Sequence, residues 1–341
     1  MLKVADLFDA LNVITGGRMV SSLEEAKEEK HPFVMWKSSG IYGKEVLEIP
    51  GLIHGNPDKP IKKVAVCMTM TELGIELAGA TGVDAIVAHH PIADAASCGG
   101  VTLKGYLDLY DISALECHEA FHGLHPGIAY LHGHRVIKSD ISYAGIHGNV
   151  MFIGEPFDDV KTMGDMLDRL DAHMCLEDDE ALLKSERLIK GVPEIEEVSL
   201  LTRGRVMVGE RSSPVGKILH IFPHTGFTKE HLRQALAENP DVDTVLASIS
   251  RVYEGHELLE EARALGVNFL VGNSHVLEIL ENGLPLAYAL DRLLEGVEIV
   301  VFRDRVTSTP LASVGHQQLK QYAQQFSEAH LVGKNILSCH A

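Results

Sequence analysis

The chain predicts an α/β fold with mixed sheets flanked by helices, and three observations predict it. Short β-branched apolar runs alternate with amphipathic stretches, so strand and helix periodicities take turns along the sequence. Short polar or Gly-rich connections separate them, which suits neighbouring elements of one layered domain. The style then recurs in a second half, so two similarly organised α/β domains are expected. Their bounds read as an N-terminal α/β half over 1–157, a helical connector over 158–205, a C-terminal α/β half over 206–303 and a helical tail over 304–341.

Each element follows from local chemistry. Residues 2–12 place Leu2, Val4, Ala5, Leu7, Phe8 and Leu11 at helical spacing. The charged run 24–30 is a solvated face. A turn-rich loop over 51–58 leads into a strand over 62–68. Thr71 is placed to cap a helix over 72–79, closed by Thr81-Gly82. Next comes the stretch on which the chain turns, 83–91. It is apolar from Ala85 to Ala88 and ends in His89, His90 and Pro91. Proline has no N–H for the ladder, so the histidines stand at the C-terminal edge of a buried strand. Open α/β sheets place their ligand sites at that edge. Strand, helix, strand with short links is a βαβ unit, so the two strands should be parallel neighbours.

A small polar loop is expected over 94–100, a helix over 103–110, and a strand over 113–118 that again finishes in histidine. The loop 119–127 then adds His122 and His125 to the same sheet edge. A helix over 128–132 is closed by Gly133-His134, and 147–153 reads as a strand or a crossover. Helices are expected over 160–170 and 177–190. The second half runs strand 217–222, helix 228–238 capped by Thr228, strand 242–249, helix 256–265 and strand 266–272. That last strand leads straight into His275 and Glu278, with Ser274 as the N-cap of a helix. Gly283 is expected as a C′ residue and Pro285 as the first position of the next helix. A final strand over 297–302 precedes a tail helix over 314–328.

Composition narrows the function classes. With 30 basic and 48 acidic residues the net charge is −18, which argues against non-specific binding to nucleic acid or anionic membrane. No apolar stretch reaches the ~18–20 residues of a membrane span, and the N-terminus lacks the pattern of a signal peptide. The five cysteines are odd in number and scattered, without a CxxC pair, so a reducing cytoplasm is expected, with most cysteines acting as small core residues.

The chemistry gathers at strand ends. His89 and His90, His118 and His122, and then His275 with Glu278 all follow apolar runs. Residues three apart on a helix share a face, so His275 and Glu278 can act together. Alone, each of these has an ordinary reading as a strand-end, loop or surface residue. Their shared placement in both halves favours a divalent ion held by neutral imidazoles and an ionised carboxylate. Nitrogen and oxygen donors without thiolate suit zinc, iron, manganese, cobalt or nickel.

Gly51-Leu52-Ile53-His54-Gly55, the 84–91 run with its His-His-Pro, 118–122 and 266–278 occur in an order that resembles the Nif-three-like family, a group of dinuclear-metal proteins also known as GTP cyclohydrolase I type 2 homologues. The resemblance spans roughly 45–150 and 215–302. It implies that His89, His90, His122, His275 and Glu278 hold metal. Two departures stand out. His122 occupies the place of the family's aspartate, and His275-x-x-Glu278 is one residue shorter than the family's usual H-x-x-x-E. Because a neutral imidazole does not bridge two ions as a carboxylate can, the resemblance leaves one or two ions open. His118 and His125 are the candidate general acid and base.

Two functions compete on this reading. One is a metal-dependent hydrolase of a small cyclic amide or heterocycle, in which a metal-activated water attacks a polarised carbon. No P-loop or Rossmann glycine fingerprint points to a nucleotide. The other is a non-catalytic, metal-binding regulatory or scaffold protein. In either case the resemblance implies a ring-shaped homohexamer.

Overall fold

A computed structural model of the chain describes all residues except 28–30, 39–44, 92–96, 99–100, 119, 123–126, 147, 250–251 and 333–341. The larger of two compact units comprises Met1–Met174 and Thr202–Asp304, and holds two mixed sheets. Their strands, in chain order, are β1 (Gly51–His54), β2 (Lys63–Cys67), β3 (Ala85–Ala88), β4 (Ser113–Glu116), β5 (His134–Asp140), β6 (Met151–Pro156), β7 (Arg205–Val208), β8 (Lys217–Ile221), β9 (Val242–Ala247), β10 (Asn268–Val271) and β11 (Glu298–Val301).

The first sheet has the order β11-β2-β3-β4-β1, parallel except for antiparallel β1. Its central strands are apolar on both faces because helices cover both. Val64, Val66 and Val87 meet Leu7 and Leu11 of the Val4–Ile14 helix and Leu286 and Leu290 of the Leu284–Leu293 helix. Ala65, Ile86 and Ala88 pack the other way, on Ile75, Ala78, Leu103 and Leu107 from helices Glu72–Thr81 and Leu103–Tyr110. Thr71 caps as expected, its side chain accepting from Gly74 N, and Gly82 ends the helix in the left-handed region. The βαβ unit is therefore present, with β2 and β3 in register from Val64–Ala85 to Cys67–Ala88.

The second sheet has the order β7-β10-β9-β8-β6-β5, with a parallel centre of β8, β9 and β10. Leu219, Val245 and Phe269 face helices Lys229–Glu238 and Glu257–Leu265, while Ile218, Leu246 and Leu270 face Met163 and Leu167 of Met163–Met174. Thr228 caps its helix through the backbone N–H of His231.

Several local expectations need correction. Gly133-His134 does not simply close a helix: His134 opens β5, an edge strand whose residues after His134 are mostly exposed and carry only weak alternation. The 147–153 segment resolves to strand β6, which starts at Met151, and His147 lies outside the described residues. Gly283 is not a C′ residue. It has φ −66 and lies in a π turn, Ile279–Gly283, that runs on into Leu284–Leu293. The final strand, β11, pairs with β2 of the first sheet. Of the loop expected over 94–100, only 97–98 are described, in a two-residue ladder with 101–102. Cys67 and Cys117 are buried, and burial pushes both thiols up to about 12, so they act as core residues.

The smaller unit comprises Cys175–Leu201 and Arg305–Ala341. It contains the charged helix Glu177–Lys190, a ladder of Glu196–Glu197 with Thr307–Ser308, and the helix Gln317–Phe326. Leu183, Val192 and Ile195 form its small core. No helix among the described residues is long and apolar enough to cross a membrane.

Candidate metal centre

The parallel strands of the first sheet end together, and their ends carry imidazoles. His89 and His90 follow β3, where their backbone N–H groups donate to Cys67 O (2.9 Å) and Met68 O (2.7 Å). This continues the ladder past its last strand residue and fixes both Cα positions. His118 follows β4, and the turn after it returns His122, whose N–H donates to His118 O (3.2 Å). His275 and Glu278 follow β10 of the second sheet.

His275–Leu277 is a single 3-10 turn rather than an α-helix. Residues three apart eclipse one another in that geometry. The shorter His275-x-x-Glu278 spacing therefore still delivers both side chains to one place, with Nε2 of His275 3.2 Å from Oε2 of Glu278. Ser274 precedes the turn but does not cap it: its hydroxyl pairs with Thr202 Oγ1 at 2.6 Å.

Glu278 is the centre of the arrangement. It is 1% exposed, yet it is a carboxylate among imidazoles. Oε1 lies 3.3 Å from Nε2 of His89 and 3.9 Å from Nε2 of His122. Oε2 lies 3.1 Å from Nε2 of His90 and 3.2 Å from Nε2 of His275. The imidazoles also face each other, with His89 Nε2 3.0 Å from His122 Nε2 and His90 Nε2 3.1 Å from His275 Nε2. Donors therefore fall into two sets, one at each carboxylate oxygen. His118 stands beside the first, with its ring 4.6 Å from that of His122 and 5.1 Å from that of His89. Two groups, His89/His118/His122 and His89/His90/Glu278, could each hold a metal ion.

Electrostatics support a cation here. Burial drives the His89 pKa down to about 3, so that imidazole is neutral at neutral pH. Burial pushes the Glu278 carboxyl up, but hydrogen bonds from His89 and His90 outweigh it and hold the pKa well below the usual value. These two shifts pull against each other, because a neutral His89 supplies no positive charge to Glu278. We take both groups as neutral imidazole and ionised carboxylate, the forms in which each binds metal. Facing Nε2 atoms at 3.0–3.1 Å describe lone pairs directed at a shared point. Four donors around an ion at ~2.0–2.1 Å stand ~3.3 Å apart, close to the separations seen.

Several supporting groups escaped the sequence reading. Thr69 Oγ1 lies 2.7 Å from Nδ1 of His90, and the wholly buried Glu48 lies 3.2 Å from Nδ1 of His118. Asn282 donates to Glu278 Oε1 at 2.9 Å. Only Asn282 left a trace in the sequence, four residues after Glu278 and so on the same helical face. Of the remaining candidates, His118 stands at the cluster and His125 lies outside the described residues. Beside His122 opens a cavity of about 100 Å³ lined by Phe33, Met35, Ile141 and Ser142.

Comparison with known proteins gives a family-model match over one segment and a fold. The family model of Duf34/NIF3 (NGG1p interacting factor 3) matches residues 42–96, the segment that contains β1, β2, β3 and the paired histidines. No curated protein matches the chain. Among solved structures, a Bacillus cereus protein related to NIF3 aligns with TM-score 0.54 at 12% identity, over 89% of this chain and 97% of that one. Reduced HcgD from Methanocaldococcus jannaschii aligns with TM-score 0.53 at 16% identity, over 88% and 97%. The protein ybgI, of unknown function, aligns with TM-score 0.55 at 13% identity, over 89% and 98%. The family model thus matches one segment, around the paired histidines, and the solved structures share the fold of this chain.

Proposed function

We propose that the chain is a metal-dependent hydrolase acting on a small cyclic amide or heterocycle, with two transition-metal ions held side by side. The observation that carries this reading is the position of the Glu278 carboxylate, with one oxygen against His89 and His122 and the other against His90 and His275. A bridging carboxylate is what a two-ion site needs. Glu278 can supply it even though His122 stands where the family resemblance implies aspartate. Bound divalent ions would polarise a carbonyl or ring carbon and make water acidic near neutral pH.

The protein's own groups have definable tasks. Thr69 and Glu48 hold the Nδ1 sides of His90 and His118. In the family of carboxylate–imidazole pairs, such contacts fix the tautomer and aim the other nitrogen. With Nδ1 of His118 engaged by Glu48, Nε2 is the atom that would accept or return a proton. The His122 cavity, of about 100 Å³ and largely apolar, has room for one small ring. Nitrogen-rich donor sets favour zinc, iron, cobalt or nickel.

A homo-oligomer belongs to this proposal through the family resemblance. The helix Gln317–Phe326 supports it, since Leu319, Tyr322 and Phe326 are all exposed, as surface covered by another copy would be in a lone chain. If instead the ions only hold an assembly together, chelation dissociates it and no substrate turns over.

The test is metal analysis with hydrolysis assays over cyclic amides and nucleotides, using His90→Ala as the control. Turnover that needs metal and vanishes in the variant is expected. An absence of turnover on every substrate, with the oligomer falling apart on chelation, would select the scaffold.

A further inference from the structure

Just outside the donor atoms lies a buried polar network that metal binding does not itself use. Asn273, Glu281 and His132 are 2%, 0% and 0% exposed. Asn273 lies two residues past the end of β10 and two residues before His275. Three bonds immobilise it. Its backbone N–H donates to Nε2 of His132 (3.4 Å), its carbonyl accepts from Ile249 N–H (2.7 Å), and its side-chain amide donates to Oε1 of Glu281 (2.8 Å). His132 is itself oriented, with Nδ1 donating to Ile128 O at 2.7 Å, which leaves Nε2 as the acceptor that Asn273 needs. Gly272 is required for this approach, since a Cβ there would lie 2.2 Å from His132 Nε2.

Glu281 sits in the π turn Ile279–Gly283, three residues beyond Glu278. π turns are rare and concentrate at functional sites. Here the turn puts Glu281 and Asn282 both indoors, Asn282 on Glu278 and Glu281 on Asn273. A wholly buried carboxyl with one hydrogen bond, and with Oε2 unpartnered, is too costly to keep ionised. Burial pushes its pKa up to about 8, with the nearby Glu278 charge adding to the shift.

We propose that Glu281 and Asn273 are positioning residues: an uncharged carboxyl-to-amide clamp that ties the turn bearing His275 to the turn bearing Glu278. The Asn273 side of the clamp is anchored to the second sheet through Ile249 and His132. The Glu281 side leads into the Leu284–Leu293 helix that packs on the first sheet. The clamp thus spans the two sheets at the point where donors from both must meet. Its effect on ions rests on the metal reading above, whereas its mechanical part does not.

The experiment compares wild type with Glu281→Gln, Glu281→Ala and Asn273→Ala in the full chain. Amide hydrogen exchange over 272–278 is read in metal-free protein, and zinc affinity is read by competition titration. Glu281→Ala and Asn273→Ala should speed exchange in that segment at least about tenfold and weaken zinc by roughly 10–100-fold, as loss of a supporting partner does. Glu281→Gln keeps the hydrogen bond without a charge, so it should stay within about threefold of wild type in both readouts. General loss of packing would not be rescued by glutamine or confined to 272–278. If Glu281→Ala fails to fold, Asn273→Ala and Glu281→Gln decide between them. Exchange and affinity unchanged in the alanine variants, or Glu281→Gln as impaired as Glu281→Ala, overturns the clamp. A wild-type chain that takes up no zinc removes the metal reading, and exchange still judges the clamp.

Discussion

Two histidine clusters occupy the larger unit, and they are chemically unlike. At the sheet edges, His89, His90, His122 and His275 direct Nε2 atoms towards one carboxylate, Glu278. In and beside the second sheet, His132, His134 and His220 are buried, and among the described residues no carboxylate bonds to any of them. Their bonds run to one another and to nearby neutral groups, with His134 Nδ1 left unpartnered: His134 Nε2 lies 2.9 Å from His220 Nδ1, and His220 Nε2 lies 2.5 Å from Ser248 Oγ. Their rings pack in the apolar core, with His220 stacked on Phe222 at 4.8 Å. The first cluster has charge to balance and donors aimed at a common point. The second bonds to neutral groups alone among the described residues. Histidine density therefore does not make a metal site; a carboxylate at the focus does.

The largest expected effect tests that rule directly. Glu278→Gln removes the shared charge and leaves the imidazoles in place, so the proposed ions should be lost, with affinity falling by more than about 100-fold. Metal content per chain after dialysis against a weak chelator is the measurement. A variant that retains two ions would show that the imidazoles alone suffice and would erase the contrast between the clusters.

The buried trio should respond to acid instead. Burial lowers the pKa of His132 to about 4 and of His134 to about 3, and holds His220 well below its ordinary value, with the neighbouring histidines adding to the last two shifts. Unfolded histidines take up protons near 6.5 while the folded ones stay neutral. Stability is thus constant in this respect above pH 6.5 and falls as pH drops from 6.5 towards 4, by up to about 1.4 kcal/mol per pH unit for each group. His220→Leu should flatten this slope in metal-free protein. It should also cost roughly 1–3 kcal/mol at pH 7, because His134 Nε2 and Ser248 Oγ lose their partner. Denaturant unfolding across pH 4–8 reads both effects. Zinc affinity at pH 7 should not move, since no atom of His220 bonds to a donor residue.

What the sequence showed and what it hid divide along the same line. Local patterns were readable: the apolar runs of β2 and β3, the Thr71 cap, and the paired histidines that Pro91 sets at a strand end. The residues that gather around Glu278 were legible because they follow strands, and strand ends gather at one edge. Long-range pairings were not. Nothing in Glu298–Val301 says that it will lie beside Lys63–Cys67, because both are short apolar strands and either sheet would accept them. Glu48 and Thr69 were invisible for the same reason, since each acts on a histidine more than 20 residues away, His118 and His90. The 3-10 and π turns around Glu278 depart from the α-helix the spacing suggested. Propensity carries little information about such departures, which packing imposes.

The smallest effect concerns His122, the point at which the chain departs from the residue its family resemblance implies. Its Nε2 is 3.9 Å from Glu278 Oε1, the longest of the imidazole–carboxylate distances, so it is the donor that contributes least to the shared focus. His122→Asp exchanges an imidazole for a shorter carboxylate on the same turn after β4. The donor number stays the same, and so should the number of ions bound. What changes is donor character: oxygen in place of nitrogen moves preference from zinc or nickel towards manganese or iron, by a few-fold in relative affinity. Parallel titrations of wild type and variant with zinc and manganese measure the ratio. An unchanged ratio would mean that His122 is not a donor. The first set would then consist of His89, His118 and Glu278 Oε1, with His122 reduced to lining the cavity beside them.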